Sequence, residues 1–228
     1  MLIVLEDVLS PELARAWAER LHAGEWRDGR ASAGSLAAAV KSNQQLREDS
    51  ALARELGQQL LARLGRHPGF LSAALPERIL PPRFNRYGEG ARYGLHVDAA
   101  VMHYGVDGAQ TLRSDLSATL FLAEPDSYEG GELCIETEFG AQQVKLPAGQ
   151  LVLYPSSSLH EVRAVTRGER LAAFFWIQSL VRDGSARSLL YDLDQSLQQL
   201  RPTLAADDTR LVALTGVYHN LLRRWASP

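Results

Sequence analysis

Tyr93-Gly94-Leu95-His96-Val97-Asp98 lies between Gly90 and a run of small residues, and its reading decides how the chain folds. It reads as a strand. Side chains two apart on a strand share a face, so His96 and Asp98 project together while Val97 packs behind them. Outward from it, the sequence predicts further strands over 83–86, 116–122, 132–137, 142–145, 150–154 and 171–177. These runs are short, separated by Gly, Pro, Asp or Ser clusters, and lack helical spacing. Glu129-Gly130-Gly131, Phe139-Gly140-Ala141 and Pro147-Ala148-Gly149 read as tight turns. The pattern is that of an antiparallel unit in a mainly β protein with flanking helices, and a double-stranded β-helix, or jelly roll, accommodates it.

The flanks are helical. Met1 to Leu5 reads as a first strand, and Ser10-Pro11 supplies an N-cap hydroxyl and a proline at the first helical position, followed by Leu13, Trp17 and Leu21 on one face. Leu52, Leu56, Leu60 and Leu64 form a second stripe, from Ser50 to a stop at Gly65. Between these helices, residues 29–46 are small and polar and read as a mobile loop or a short helix. Near the C-terminus, Leu189, Leu190, Leu193, Leu197 and Leu200 space one helix, Pro202 ends it, and Leu211 to Trp225 space another. The division expected is 1–77 packed on the barrel, 78–178 the jelly roll, and 179–228 a helical extension lying on the barrel or on a second subunit.

The chemistry-bearing residues cluster in the middle zone. Two imidazoles and one carboxylate can occupy one face of an octahedral Fe(II) and leave the other face open. His96 and Asp98 would need a third ligand near in space and far in sequence. His160 is placed for it, after a strand over 150–154 and a turn at Pro155-Ser-Ser-Ser-Leu159. Arg170 opens the apolar run Leu171-Ala-Ala-Phe-Phe-Trp-Ile177. A guanidinium there requires an anion, either a structural carboxylate at the strand end or a carboxylate ligand held by a bidentate pair.

A wider set of motifs carries a resemblance. Arg83-Phe-Asn-Arg-Tyr87, Gly88-x-Gly90, Tyr93, His96-x-Asp98, Asp115-Leu-Ser-Ala-Thr-Leu-Phe-Leu122, Tyr128-Glu-Gly-Gly-Glu-Leu133, Pro155, His160 and Arg170 together resemble the prolyl/lysyl-hydroxylase branch of the 2-oxoglutarate-dependent oxygenases. The whole chain is similar to the bacterial PKHD-type hydroxylases, the PiuC/YbiX group associated with iron uptake, including Lys41-Ser-Asn-Gln-Gln-Leu46 and Leu214-Thr-Gly-Val-Tyr-His-Asn-Leu-Leu222 in the flanks. The resemblance implies a hydroxylase using Fe(II), 2-oxoglutarate and O2, with L-ascorbate as a further cofactor. It implies that His96, Asp98 and His160 hold the iron, that Arg170 takes the distal carboxylate of 2-oxoglutarate, and that the Tyr87 hydroxyl helps to hold it. The implied reaction converts 2-oxoglutarate to succinate and carbon dioxide while hydroxylating a C–H bond of a small-molecule or protein side-chain substrate.

Other residues were weighed against blander roles. Tyr93 and Tyr154 read as packing aromatics with a smaller claim on the pocket, and Ser117, Thr119 and Phe121 alternate toward one face that could form its wall. Val101 to Ser114, with His103 and Arg113, reads as a loop at the mouth and a source of substrate contacts. Cys134 reads as a small buried hydrophobe, and His22, His67 and His219 receive no site role. A zinc hydrolase could use the same triad but has no need of Arg170. A nucleobase demethylase shares Asn85-x-Tyr87 but requires a second arginine where Trp176 stands. An iron sensor without turnover would keep the triad and gain nothing from Arg170 and Tyr87. A halogenase is excluded, because Asp98 fills the place of the halide.

Composition bounds the remaining classes. The 228 residues are 46% apolar and 22% charged, ordinary for a globular protein. A formal net charge of −3 gives no footprint for a nucleic-acid backbone. No apolar run approaches a membrane span, and Glu6-Asp7 interrupts the apolar start before a signal sequence could form. With a single cysteine, these features predict a cytoplasmic protein with no nucleic-acid or membrane partner.

Overall fold

The computed structural model describes residues 1–32 and 38–227. The larger sheet runs β1 (Ile3–Leu5), β14 (Leu151–Pro155), β10 (Leu116–Phe121), β17 (Arg170–Ser179), β6 (Arg83–Tyr87), β4 (Gln44–Leu46) and β2 (Trp26–Asp28), with β5 (Pro76–Ile79) also paired to β17. The smaller sheet runs β13 (Gly140–Val144), β12 (Leu133–Thr137), β15 (His160–Val162), β7 (Arg92–His96) and β3 (Lys41–Ser42). Two short pairs complete the β structure: β8 (Val101–Tyr104) with β9 (Gln110–Arg113), and β11 (Glu129–Gly130) with β16 (Val165–Arg167). This is the expected jelly roll.

Strand periodicity divides the interior into two chemical environments. On β10 and β17, Leu116, Ala118, Leu120, Leu171, Ala173, Phe175 and Ile177 join the core behind the larger sheet. The alternate residues Ser117, Thr119, Phe121, Arg170, Ala172, Phe174 and Trp176 therefore face between the sheets. Both faces of these central strands are covered, which explains why they read as continuous apolar runs rather than alternating ones.

Helices α1 (Pro11–His22) and α2 (Ala51–Leu64) press Trp17, Leu21, Leu56, Leu60 and Leu64 into the core behind the larger sheet. Their starts are capped as the sequence predicts: Ser10 Oγ accepts from the Leu13 amide at 3.3 Å and Ser50 Oγ from Ala53 at 3.1 Å. A third helix, α3 (Pro68–Ala74), is capped by His67, whose Nδ1 accepts from the Phe70 amide at 3.1 Å. The C-terminal pair, α4 (Gly184–Leu200) and α5 (Thr209–Trp225), forms its own cluster, in which Leu190, Val181 and Leu75 are covered by Tyr218, Leu221, Leu222 and Trp225.

Several sequence expectations are revised. Of the stretch read as a loop or short helix, Gly29–Ser32 is a short 3-10 helix, residues 33–37 lie outside the described residues, and Lys41–Ser42 and Gln44–Leu46 instead form β3 and β4. Val101 to Arg113 is a hairpin rather than a loop. Strand β7 ends at His96, so Asp98 lies beyond the strand instead of on it. Among the described residues, no helix is long and apolar enough to cross a membrane.

Candidate active site

Strand register places the two histidines together. His96 ends β7 and His160 begins β15, and the two are direct partners in the antiparallel ladder, with ring centroids 4.2 Å apart. Asp98 reaches them from the loop after β7, its Oδ2 3.7 Å from His160 Nε2. Donor atoms of His96, Asp98 and His160 all lie within 4.8 Å of one another.

Each of the three is oriented by a neighbour. His96 Nδ1 donates to the Gly94 carbonyl at 2.8 Å and His160 Nδ1 to the Ser158 carbonyl at 3.0 Å. Carbonyls only accept, so the hydrogen sits on Nδ1 and each Nε2 lone pair is left for the centre of the site. Ser117 Oγ, from the opposite sheet, donates to Asp98 Oδ2 at 2.6 Å and lies 2.8 Å from Ser156 Oγ. That bond anchors a carboxylate which its own strand does not. Tyr93 stacks on His96 with centroids 3.7 Å apart and an 18° interplanar angle. Burial, then the neighbouring His160, lowers the His96 pKa to about 4, which keeps its imidazole neutral and able to donate a lone pair near neutral pH. Two imidazoles with preset Nε2 lone pairs and a carboxylate fit a ferrous ion.

The opposite pole of the cavity is cationic and aromatic. Arg170 is 1% exposed, its Nε has no hydrogen-bond partner, and no carboxylate pairs with it among the described residues. Its guanidinium carbon lies 5.4 and 5.1 Å from the ring centroids of Tyr87 and Phe121. Tyr87 faces Arg170 across the β6–β17 ladder. Burial raises the Tyr87 pKa and Arg170 opposes the shift, so the hydroxyl remains protonated. Burial raises the Tyr128 pKa in the same way, and Arg170 again opposes the shift through its charge and a hydrogen bond. Gly131 makes room for the arginine stem: at φ 68° an added Cβ would lie 3.2 Å from Arg170 Cδ and 3.0 Å from Tyr128. A buried guanidinium with an open donor costs several kcal/mol in isolation, and the carboxylate of a dicarboxylic acid fits it.

Between the poles lies a cavity of about 380 Å³ lined by the triad, Arg170, Tyr87, Tyr93, Tyr154 and Thr119 among others. Of the hairpin over 101–113, Met102 lines this cavity, while Arg113 turns away to pair with Asp115 at 2.8 Å. His103 is exposed. Cys134 is buried, as expected, and burial raises its pKa.

Sequence reasoning gave no site role to Lys41, Asn43, Gln45 or Asn85, all buried and all lining the cavity. Burial, then the charge of Arg83, lowers the Lys41 pKa to about 8, and its ammonium lies 4.9 Å from the centroid of the Tyr93 ring. The signal was present as polar residues at every second position of 41–45, but strands of two and three residues are too short for periodicity to identify.

The fold and this donor set define a class, the 2-oxoglutarate- and Fe(II)-dependent oxygenases. Residues 82–178 match the 2OG-Fe(II) oxygenase superfamily, and residues 184–227 match the PKHD-type hydroxylase C-terminal domain. A PKHD-type hydroxylase of Acidovorax ebreus (strain TPSY) is 59% identical over 228 residues, covering 100% of both chains. The chain belongs to the PKHD-type hydroxylases. A Pseudomonas putida prolyl-4-hydroxylase shares the fold with a TM-score of 0.53 at 24% identity, over 78% of this chain and 92% of that one. A Trichoplax adhaerens prolyl hydroxylase, solved with a hypoxia inducible factor oxygen degradation domain peptide fragment, does so with a TM-score of 0.56 at 15% identity, over 82% and 86%. The protein is thus a hydroxylase whose family uses Fe(II), 2-oxoglutarate and O2.

Proposed function

We propose that His96, Asp98 and His160 hold the ferrous ion and that Arg170, with Tyr87, holds 2-oxoglutarate in a reaction that hydroxylates an organic substrate. One observation carries this reading. A preset two-histidine, one-carboxylate group and a buried guanidinium that no carboxylate pairs among the described residues face one cavity. When bound, the iron activates oxygen at the expense of the 2-oxo acid and delivers an oxygen atom to a C–H bond.

The protein's residues position and shield. Gly94 and Ser158 fix the imidazole tautomers, Ser117 orients the Asp98 carboxylate, and Arg170 receives the far carboxylate of the cosubstrate with the Tyr87 hydroxyl beside it. Tyr154 and Thr119 wall the space between, and the apolar face between the sheets, including Phe121, Val152 and Ile135, excludes water.

The same reading divides the chain into residues 1–77 buttressing the barrel, a jelly-roll unit over 78–178 and a helical extension over 179–228, and places the protein in the cytoplasm. Its substrate is a small molecule or a protein side chain, with prolyl and lysyl groups and components of iron uptake the first to test. A nucleobase is disfavoured because Trp176 stands where a second arginine is required, and a net charge of −3 disfavours a nucleic-acid partner. Metal titration together with succinate production tests the assignment: Asp98→Ala is expected to lose both tight Fe(II) binding and turnover. Retained turnover in that variant removes Asp98 from the site.

A further inference from the structure

The cavity holds a second set of buried polar side chains besides the triad and Arg170. Lys41 on β3, Asn43 between the strands and Gln45 on β4 take alternate positions, and Gln45 is the direct cross-strand partner of Asn85 on β6. Asn43, Gln45 and Asn85 are 6%, 2% and 7% exposed, and all three line the cavity. Gln45 Nε2 and Asn85 Oδ1 have no hydrogen-bond partner, while the Asn43 side chain lies against the Tyr87 hydroxyl. Buried amides left in this state cost about 1–3 kcal/mol each, and natural proteins leave few of them.

Register separates this strip from the cosubstrate pole. Across the β6–β17 ladder, Arg170 faces Tyr87, Ala172 faces Asn85 and Phe174 faces Arg83. Asn85 therefore lies one inward-facing layer from the guanidinium, opposite the small Ala172, with Gln45 on its far side. The wall toward the following layers is aromatic: Phe174 and Trp176 meet edge to face at 5.5 Å, and Arg83 lies 5.7 Å over the Trp176 ring. An unpaired N–H of Gln45 beside an unpaired carbonyl of Asn85 complements a planar amide, which offers one carbonyl and one N–H.

We propose that Gln45 and Asn85 form a subsite that binds an amide group of the primary substrate, with Phe174 and Trp176 as its apolar wall, and so set which C–H bond reaches the metal. This rests on the iron and 2-oxoglutarate assignment above. An amide of this kind comes from a peptide main chain or from an amide-bearing small molecule.

The test uses the full chain loaded with Zn(II) and 2-oxoglutarate and isotopically labelled at nitrogen. N-acetyl-alanine methylamide is the peptide probe, benzamide the non-peptide probe, and methyl benzoate the control that lacks an amide N–H. Expected is a shift of the Gln45 and Asn85 side-chain NH2 resonances on adding an amide probe, with methyl benzoate bound at least about fivefold more weakly. The tighter of the two amides identifies the source. Gln45→Met, nearly isosteric, is expected to weaken amide binding about tenfold and to leave 2-oxoglutarate affinity within twofold. Amide probes that leave both resonances unmoved in the wild-type protein overturn the proposal without need of a variant. So does a Gln45→Met protein that loses 2-oxoglutarate affinity as Arg170→Ala does, because the strip would then belong to the cosubstrate. Failure of 2-oxoglutarate itself to bind the Zn(II)-loaded wild type overturns the underlying assignment, and this proposal with it.

Discussion

Arg170 concentrates the cost and the use of a buried charge in one side chain. It is 1% exposed and lacks a carboxylate partner among the described residues, so truncation removes the group that an incoming carboxylate would otherwise meet. Arg170→Ala is expected to weaken 2-oxoglutarate binding by about 2–5 kcal/mol while leaving Zn(II) affinity unchanged. Calorimetric titration of the Zn(II)-loaded variant checks this, and wild-type affinity would contradict it. Ser117→Ala deletes the one hydrogen bond that ties the Asp98 carboxylate to the larger sheet. The expected loss in metal affinity is about 10–100-fold, read by competition with a chelating dye. That His96, His160 and Arg170 share one cavity was legible in the sequence only through the conjunction of the His96-x-Asp98 pair, a distant histidine after a strand and turn, and an arginine opening an apolar run. The particular task of Ser117 was not, since a serine in an apolar strand gives no sign of its partner until register brings it to Asp98.

Elements follow their local signals wherever those signals are long. Helices α1, α2, α4 and α5 agree with their apolar spacing and caps, and the central strands with their β-branched and aromatic runs. Pairs such as β3 with β7 or β8 with β9 depend on distant register or on tight turns within polar sequence, and the residues alone suggested loops. The end of β7 at His96 is the most consequential miss, because it leaves the Asp98 carboxylate on a loop and held by Ser117. The caps make a pH prediction. Hydrogen bonds from the Arg210 side chain, then its backbone amide, lower Asp208 at the start of α5 to about 2, below the ordinary value of 3.8. A carboxyl depressed in the folded state stabilises above its unfolded pKa and loses that contribution as pH falls through the folded value. Amide exchange in the first turn of α5 is therefore expected to quicken between about pH 4 and pH 2, and Asp208→Ala to abolish that dependence. An unchanged profile in the variant would remove the cap from the explanation. In the same helical pair, Leu190 is fully buried, and Leu190→Ala is expected to cost about 2–5 kcal/mol, measured by urea unfolding. A cost near zero would mean that the pair does not pack as described.

For the whole molecule, the central strands supply two functions at once. One face of β10 and β17 builds the core under the helices and the other presents the cavity, so stability and chemistry are joined through the same backbone. The jelly roll was legible because strands separated by turn residues leave few architectures. The amide pair was not, because it assembles from Gln45 on β4 and Asn85 on β6, which lie forty residues apart in sequence. Ligand binding should feed back on stability by mass action: 2-oxoglutarate at a hundredfold excess over its Kd adds about 2.7 kcal/mol, provided that a metal is present. The most direct measurement is anaerobic addition of Fe(II) and then 2-oxoglutarate, followed by visible absorption. The account predicts a charge-transfer band that appears with the second addition, is absent in Asp98→Ala and requires far more 2-oxoglutarate in Arg170→Ala. A wild-type protein that stays colourless, or a band that Asp98→Ala retains, would contradict it.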